Sequence, residues 1–261
     1  MDINQTLSTG EYNLVYNMLS LTVAAMGAST VFFFLSRGSV LPKYRPALIV
    51  SGIVTLIACY HYVRIFMSWT GAFSLNGAGY TDSGASFNDA YRYVDWLLTV
   101  PLLLVELVAV LSLAPSVTRS LLIRLVVAAV LMIGLGYPGE ISSIGGTRWL
   151  WWSLSMIPFI YILYVLWVEL SKSIERQPEA ARSLISGARM LILVSWSFYP
   201  IAFILPMIGI GGEGSVNPGL QVGYSLADII AKCGLGLYVY FIASAKSAAE
   251  DPAFANAAHA R

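Results

Sequence analysis

Long apolar runs alternate with short polar segments along the whole chain. Seven runs reach the roughly 20 residues that a helix needs to cross about 30 Å of hydrocarbon. They cover residues 12–36, 45–69, 89–113, 119–137, 148–171, 181–208 and 220–246. We therefore predict an all-α membrane protein, a seven-transmembrane-helix bundle that forms a single domain over residues 1–261.

Composition agrees with this prediction. Apolar residues make up 57% and charged residues 11% of the chain, against roughly 45–50% and 25% in soluble proteins. No basic stripe is present, so we expect no nucleic-acid partner. Cys59 and Cys233 lie inside apolar runs without metal-type spacing, and we interpret them as core residues. The polar segment 1–5 lacks the basic start of a signal peptide, so the first run is expected to be a retained span.

Loop charges predict the orientation in the membrane. The loops after the first, third and fifth runs and the tail are basic, with Arg37, Lys43, Arg45, Arg119, Lys172, Arg176, Arg182, Lys246 and Arg261. The opposite loops contain Asp82, Asp89, Glu140 and Glu213 against Arg148. Because basic loops stay in the cytoplasm, we expect the N-terminus outside and the C-terminus in the cytoplasm.

The seventh run contains Asp228 and Lys232 four residues apart, which places both side chains on one face of a helix. An ionisable residue at bilayer depth is costly and faces the bundle interior. Two interpretations fit this stretch. The residues form a structural ion pair, or Lys232 forms a Schiff base with a carbonyl compound while Asp228 balances its charge.

The third run has the densest polar set. At 100° per residue, one helix face holds Arg92, Asp95, Thr99 and Glu106. Arg92 could snorkel and Thr99 could bond to its own helix, but Glu106 lies among leucines and valines, where lost solvation favours a protonated carboxyl. Asp95 and Glu106 are about 16 Å apart along the axis, and resemble two stations of a proton relay.

Other polar and aromatic residues give weaker signals. His61 in the second run is either a packing residue or a modulator of a nearby carboxylate. Aromatic residues and prolines occur in the fifth and sixth runs: Trp151, Trp152, Pro158, Trp196, Tyr199 and Pro200. They are either core and interface residues or the walls of a slot for a long conjugated ligand.

Together these motifs resemble the microbial rhodopsins, above all the proteorhodopsin and xanthorhodopsin branch. The segment 92–102 (RYVDWLLTVPL) with Glu106 is similar to the family's third helix. The segments 148–152 with 161–164, 196–200 and 228–232 are similar to its fifth, sixth and seventh helices. The resemblance extends over the whole chain.

The resemblance implies all-trans retinal bound to Lys232 as a protonated Schiff base, with Asp95 and Asp228 as counter-ions. Asp95 would be the proton acceptor, Glu106 the cytoplasmic donor and Arg92 the gate toward the outside, while His61 would pair with Asp95. The retinal pocket would contain Trp96, Leu103, Trp152, Trp196, Tyr199, Pro200 and Phe203. Leu103 resembles the residue of green-absorbing variants.

The resemblance further implies a light-driven outward proton pump, a transporter and not an enzyme, in the bacterial inner membrane. Within the family, Asp95, Thr99 and Glu106 match proton pumps and not the chloride or sodium pumps. Members often form pentamers or hexamers, so we expect a homo-oligomer. A retinal photosensor with a partner protein stays an alternative, as does a seven-helix transporter without chromophore.

Two positions depart from the family. Trp152 stands where carotenoid-binding xanthorhodopsins have a glycine, so we expect no carotenoid antenna. Leu220 stands where bacteriorhodopsin has an outer glutamate. Glu213 is a loose candidate for the proton-release group, which the sequence leaves open.

Overall fold

Seven helices in the computed structural model are long and apolar enough to cross a membrane. The structure describes residues 6–88, 90–169, 171–210 and 216–254. In this part of the chain the spans are Thr9–Ser39, Arg45–Ala72, Tyr91–Leu111, Pro115–Glu140, Gly145–Ile174, Glu179–Ile208 and Pro218–Glu250. The predicted seven-helix bundle is confirmed.

The boundaries of the fourth span differ from the prediction. The helix begins at Pro115, because proline is well tolerated at a first helical position. It also continues through Pro138 to Glu140, where the sequence predicted an end at residue 137. Pro138 lies in the last turn, where the missing N–H removes one helical hydrogen bond and the following amides of Ile141 and Ser142 still bond to Tyr137 and Gly139.

The spans pack as neighbours in chain order, and the seventh closes the bundle against the first, second, third and sixth. The first, third, fifth and seventh spans begin at one end, called here the N-terminal end, and finish at the C-terminal end. Large apolar side chains such as Leu35 and Met67 are exposed on the outside. Such a surface requires lipid around it.

A small antiparallel sheet covers the N-terminal end, and the sequence prediction missed it. Its strands are β1 (Thr6–Ser8), β2 (Phe73–Asn76) and β3 (Gly79–Asp82), in the order β1-β3-β2. Only connecting residues were predicted over 70–88, although the Asn76-Gly77 pair is a hairpin signal and Gly77 has a φ of +64°. Tyr80 of β3 stacks on Tyr12 of the first span, with ring centroids 3.7 Å apart.

Two spans contain a π-helical turn that the sequence did not indicate. In the fifth span it covers Val165–Glu169, and in the seventh it covers Ile229–Gly234. Asp228 is thus the last residue of an α-helix, and Lys232 lies in the π segment. Turns of this kind occur often at functional sites.

Candidate functional site

The side-chain nitrogen of Lys232 lies between two carboxylates in the middle of the bundle. Its Nζ is 2.6 Å from Oδ2 of Asp95 and 2.9 Å from Oδ2 of Asp228. All three residues are at most 2% exposed. The shared face of Asp228 and Lys232 followed from their spacing, whereas the contact with Asp95 depends on how the third and seventh spans pack. A buried cation between two anions is electrically compensated, as burial requires.

Asp228 is held by three further donors. Tyr62 donates to Oδ2 at 2.8 Å, while Tyr199 and Trp96 donate to Oδ1 at 2.5 and 3.2 Å. Sequence reasoning did not single out Tyr62, because it named the adjacent His61 instead. Four partners leave this carboxylate little room to accept a proton without breaking a bond.

Asp95 has a different environment from Asp228. Its Oδ2 contacts Lys232, but its buried Oδ1 has no hydrogen-bond partner among the described residues. Thr99 donates to the backbone oxygen of Asp95 at 2.8 Å and not to the carboxylate. A proton could therefore be added at Oδ1 without displacing an existing hydrogen bond.

A cavity with a total empty volume of about 800 Å³ opens beside Lys232. Every predicted pocket residue lines it: Trp96, Leu103, Trp152, Trp196, Tyr199, Pro200 and Phe203. The wall also contains residues that sequence reasoning did not name, among them Met132, Ser155, Met156 and Phe159.

The cavity has the chemistry that retinal requires. Its wall is mainly aromatic and aliphatic, and it includes one lysine nitrogen that could form a covalent bond. Trp152 is fixed in the wall because its indole N–H donates to the backbone oxygen of Pro200 at 3.1 Å. The residues present fit a long apolar aldehyde that is attached through a Schiff base.

Arg92 and His61 are both buried in the bundle. The Arg92 guanidinium lies 5.9 Å from the ring centroid of Tyr62 and 5.2 Å from that of Tyr224. His61 packs edge-on against Tyr60, with centroids 5.2 Å apart. Its Nδ1 has no hydrogen-bond partner in the part of the chain that the structure describes. The pairing with Asp95 that the resemblance implied is therefore not formed through this atom here.

Glu106 is separate from this group. It is completely buried in the C-terminal half of the third span, among Leu103, Leu104 and Leu107. The Ser51 hydroxyl interacts with it, although neither carboxyl oxygen has a hydrogen bond of standard geometry within the described residues. The release-group candidate Glu213 lies outside the described residues.

The two cysteines are not linked. Cys233 is buried with its Sγ 3.5 Å from Sδ of Met26, and Cys59 is partly buried in the second span. The described residues contain no cluster of His, Cys, Asp and Glu that could hold a metal ion. The predicted role of the cysteines as core residues is consistent with these positions.

A sequence profile described as "Bacteriorhodopsin-like protein" matches residues 13–245. The chain belongs to this family. It is 33% identical over 228 residues to the green-light absorbing proteorhodopsin of Gamma-proteobacterium EBAC31A08, which covers 87% of this chain and 85% of that one. It is 30% identical over 240 residues to bacteriorhodopsin of Halobacterium salinarum, with coverage of 90% and 85%.

Two solved structures of this rhodopsin family agree with the fold. Thermophilic rhodopsin superposes with a TM-score of 0.92 at 51% identity, covering 95% of this chain and 100% of that one. Xanthorhodopsin, described as a light-driven ion pump with dual chromophore, gives a TM-score of 0.89 at 51% identity, with coverage of 95% and 98%. The chain is thus a microbial rhodopsin, a multi-pass bacterial membrane protein that lies in a lipid bilayer.

Membership of the family establishes the general type of activity. The homologues support light-driven proton pumping as the family activity, which makes this protein a transporter and not an enzyme. They also support retinal bound through a lysine Schiff base as the family chromophore.

Proposed function

We propose that this protein is a light-driven pump that moves protons outward, with all-trans retinal attached to Lys232. The observation that carries the proposal is the position of the Lys232 nitrogen, 2.6 Å from Asp95 in the wall of an aromatic cavity. The third span, which carries Asp95, also carries a second buried carboxyl, that of Glu106. The residues that would hold the chromophore are Lys232, Trp96, Leu103, Trp152, Trp196, Tyr199, Pro200 and Phe203.

The chromophore supplies a light-driven isomerisation that changes the direction in which the proton on the Lys232 nitrogen points. In the resting state, Asp95 and Asp228 balance the positive charge at that nitrogen. The aromatic wall restricts movement within the cavity. The energy of the absorbed light therefore acts on one proton, the proton on the Lys232 nitrogen.

Asp95 is the proposed proton acceptor, and Asp228 the permanent counter-ion. Asp228 is already bound by Tyr62, Tyr199 and Trp96, so protonating it would cost hydrogen bonds. The Oδ1 atom of Asp95 lacks a partner among the described residues, so a proton can be added there without breaking a hydrogen bond. Thr99 fixes the backbone turn that carries Asp95.

Glu106 is the proposed proton donor. Its carboxyl lies about 16 Å from Asp95 along the third span, toward the basic end of the protein. A fully buried carboxyl without an ionic partner favours the protonated form and can supply a proton to the Lys232 nitrogen. Delivery over this distance requires water or side-chain motion between the two sites.

Arg92 is assigned to the outer half of the pathway, and His61 to the modulation of Asp95. Arg92 lies one helical turn from Asp95 toward the N-terminal end, where its positive charge separates Asp95 from the outside. His61 would modulate Asp95 after a change of side-chain orientation. The orientation with the N-terminus outside follows from the basic loops at the C-terminal end.

Two features of the assembly belong to this proposal. Trp152 fills the place at which an antenna carotenoid would contact the chromophore, so the pump works with retinal alone. Apolar side chains cover the lipid-facing surface of the protein. From the family resemblance we expect copies to associate as a pentamer or hexamer. One rhodopsin domain over residues 1–261 makes up each copy.

The proposal is tested by the pH of an unbuffered suspension of cells that make the protein and receive retinal. We expect light to acidify the medium and a protonophore to abolish the change. Coloured cells without any pH change would contradict pumping and favour the photosensor. Protein that stays colourless with retinal would contradict the chromophore site and favour a structural ion pair between Asp228 and Lys232.

A further inference from the structure

Lys246 is a second buried lysine, and the proposed pump mechanism does not use it. It lies one turn before the end of the seventh span and is 3% exposed. Among the described lysines, Lys232 and Lys246 are the two that are buried. Burial of a lysine nitrogen is unfavourable unless other groups replace its water. The groups that do so therefore indicate what Lys246 stabilises.

The Lys246 nitrogen binds the end of the third span. It donates to the backbone oxygens of Val110 at 3.0 Å and Leu111 at 2.8 Å. These carbonyls belong to the last helical turn, where no amide follows to bond them. A positive charge is also favoured at this negative end of a helix. Lys246 thus caps a helix that is not its own.

Further contacts hold the same helix end. Gln177 donates to the Leu111 oxygen at 3.3 Å. The ring of Tyr44 lies 5.0 Å from the Lys246 nitrogen, and its hydroxyl donates to Glu250 at 2.5 Å. Together with Lys43, which forms an ion pair with Glu250, these residues form the C-terminal clamp: Lys43, Tyr44, Gln177, Lys246 and Glu250. It joins the third span to the loop before the second span, the segment before the sixth, and the seventh span.

The hydroxyl of Tyr44 stays a donor in this arrangement. Burial, and after it the hydrogen bond to Glu250, hold the pKa of Tyr44 well above its usual value. The phenol is therefore neutral in the physiological range and does not itself accept protons from the pathway. Its role in the clamp is mechanical.

The clamp lies between Glu106 and the water at the C-terminal end. Val110 is four residues beyond Glu106, about 6 Å along the helix. Exposure rises in the same direction, from 0% at Glu106 and 3% at Lys246 to 33% for the Glu250 side chain. The helix end that Lys246 holds therefore lies on the side of Glu106 that faces this end of the bundle.

We propose that the C-terminal clamp is the gate through which protons from the cytoplasm reach Glu106, with Lys246 as its central positioning residue. While Lys246 holds Val110 and Leu111, the gate is closed and Glu106 keeps its proton. Release of this helix end admits water, and a proton moves from that water to a carboxyl oxygen of Glu106. The inference rests on the proposed role of Glu106 as donor.

The test measures hydrogen–deuterium exchange of the Glu106 carboxyl in the dark by infrared spectroscopy. The carboxyl band is assigned by its loss in Glu106→Gln. Lys246→Met removes the donating nitrogen at similar volume, and we expect exchange about tenfold faster, because hydrogen bonds to the helix end are lost. Lys246→Arg keeps the donors and should exchange like the unchanged protein. Lys172→Met, at an exposed lysine, is the matched surface control.

A second measurement follows the rates of the proton transfers after a light pulse. In Lys246→Met, reprotonation of Glu106 should be faster by a similar factor, while proton transfer to Asp95 should keep its rate. Lys246 is 14 residues from Lys232, about 21 Å along the helix, so the visible absorption maximum should not move. If Lys246→Met does not fold, Tyr44→Phe removes only the bond to Glu250 and should speed exchange about threefold.

The possible results distinguish a failure of the gate proposal from a failure of the proposed pump mechanism. Unchanged exchange in both Lys246→Met and Tyr44→Phe, with reprotonation still dependent on Glu106, would overturn the gate and leave the pump intact. Reprotonation kinetics that Glu106→Gln does not alter would overturn the donor role and, with it, the gate. Equal acceleration in Lys172→Met would also overturn the gate, because the effect would not depend on the clamp.

Discussion

The hydroxyl of Tyr62 donates a 2.8 Å hydrogen bond to Oδ2 of Asp228, the same oxygen that forms the 2.9 Å ion pair with Lys232. The second span thereby fixes the carboxylate of the seventh span. Because a hydrogen bond to a charged group contributes about 1.5–3 kcal/mol, this contact is a considerable part of the stability of the site.

Replacing Tyr62 by phenylalanine should lower the free energy of unfolding by about 2 kcal/mol. The ring stays in place, while Asp228 loses one of its donors. Denaturant unfolding, followed by the loss of visible absorbance, measures the change. Tyr60→Phe is the control, because Tyr60 is 57% exposed and its change should stay within about 0.5 kcal/mol. Equal stability of the two variants would contradict the prediction.

Lys232→Ala should abolish the visible absorption that forms when retinal is added. No other described lysine lines the cavity, so no other nitrogen can take the aldehyde there. In the unchanged protein, borohydride reduction should fix the retinyl group on the peptide that contains Lys232. A label on the peptide with Lys246 would contradict the assignment, since that is the other buried lysine.

Asp95→Asn should lower the initial rate of light-driven acidification at least about 100-fold, the range expected when a proton-transfer group is removed. The amide cannot accept the proton, although the pigment should still form. The pH electrode and the visible spectrum check both statements. Asp251→Asn, at an exposed carboxylate, is the control and should pump normally. Undiminished pumping by Asp95→Asn would show that another group accepts the proton.

An added carotenoid should transfer no energy to retinal in the unchanged protein. The Trp152 indole occupies the cavity wall and is anchored to Pro200 at 3.1 Å. The excitation spectrum of pumping or of retinal fluorescence should contain no carotenoid bands. Trp152→Gly removes this side chain, whereas Trp149→Gly removes an exposed neighbour and serves as control. Carotenoid bands in the unchanged protein would contradict the prediction.

Gly79→Ala should destabilise the N-terminal end by about 1–3 kcal/mol. A Cβ at this position would lie 2.8 Å from the backbone oxygen of Leu7, which cannot move without breaking the pairing of β1 with β3. Gly71→Ala is the control, since a Cβ there meets nothing within 4 Å. Thermal loss of visible absorbance measures both. A decrease that is equal in the two variants would point to helix or loop propensity and not to the strand contact.

The sequence by itself determined the spans and the members of the polar site. A membrane helix must carry about 20 apolar residues, so the runs could be read directly. Exceptions within them, such as Glu106 and Lys232, are too costly to occur without a partner or a role. The stripe from Arg92 to Glu106 followed from helical rotation, and all four of its residues are buried. The cavity residues came from the family resemblance, and each of them lines the cavity.

Only the tertiary structure decided which residues from different spans meet. No motif in the sequence marks Tyr62 or Lys246 as a functional residue. Their partners Asp228 and Leu111 are 166 and 135 residues away in the chain. Apart from the turn signal at Asn76-Gly77, the small sheet and the π turn at Lys232 were also beyond the sequence, because strands of three or four residues and a single inserted helical residue leave almost no periodic pattern. Helix periodicity specifies which face a side chain occupies, but the packing of the bundle specifies what that face contacts.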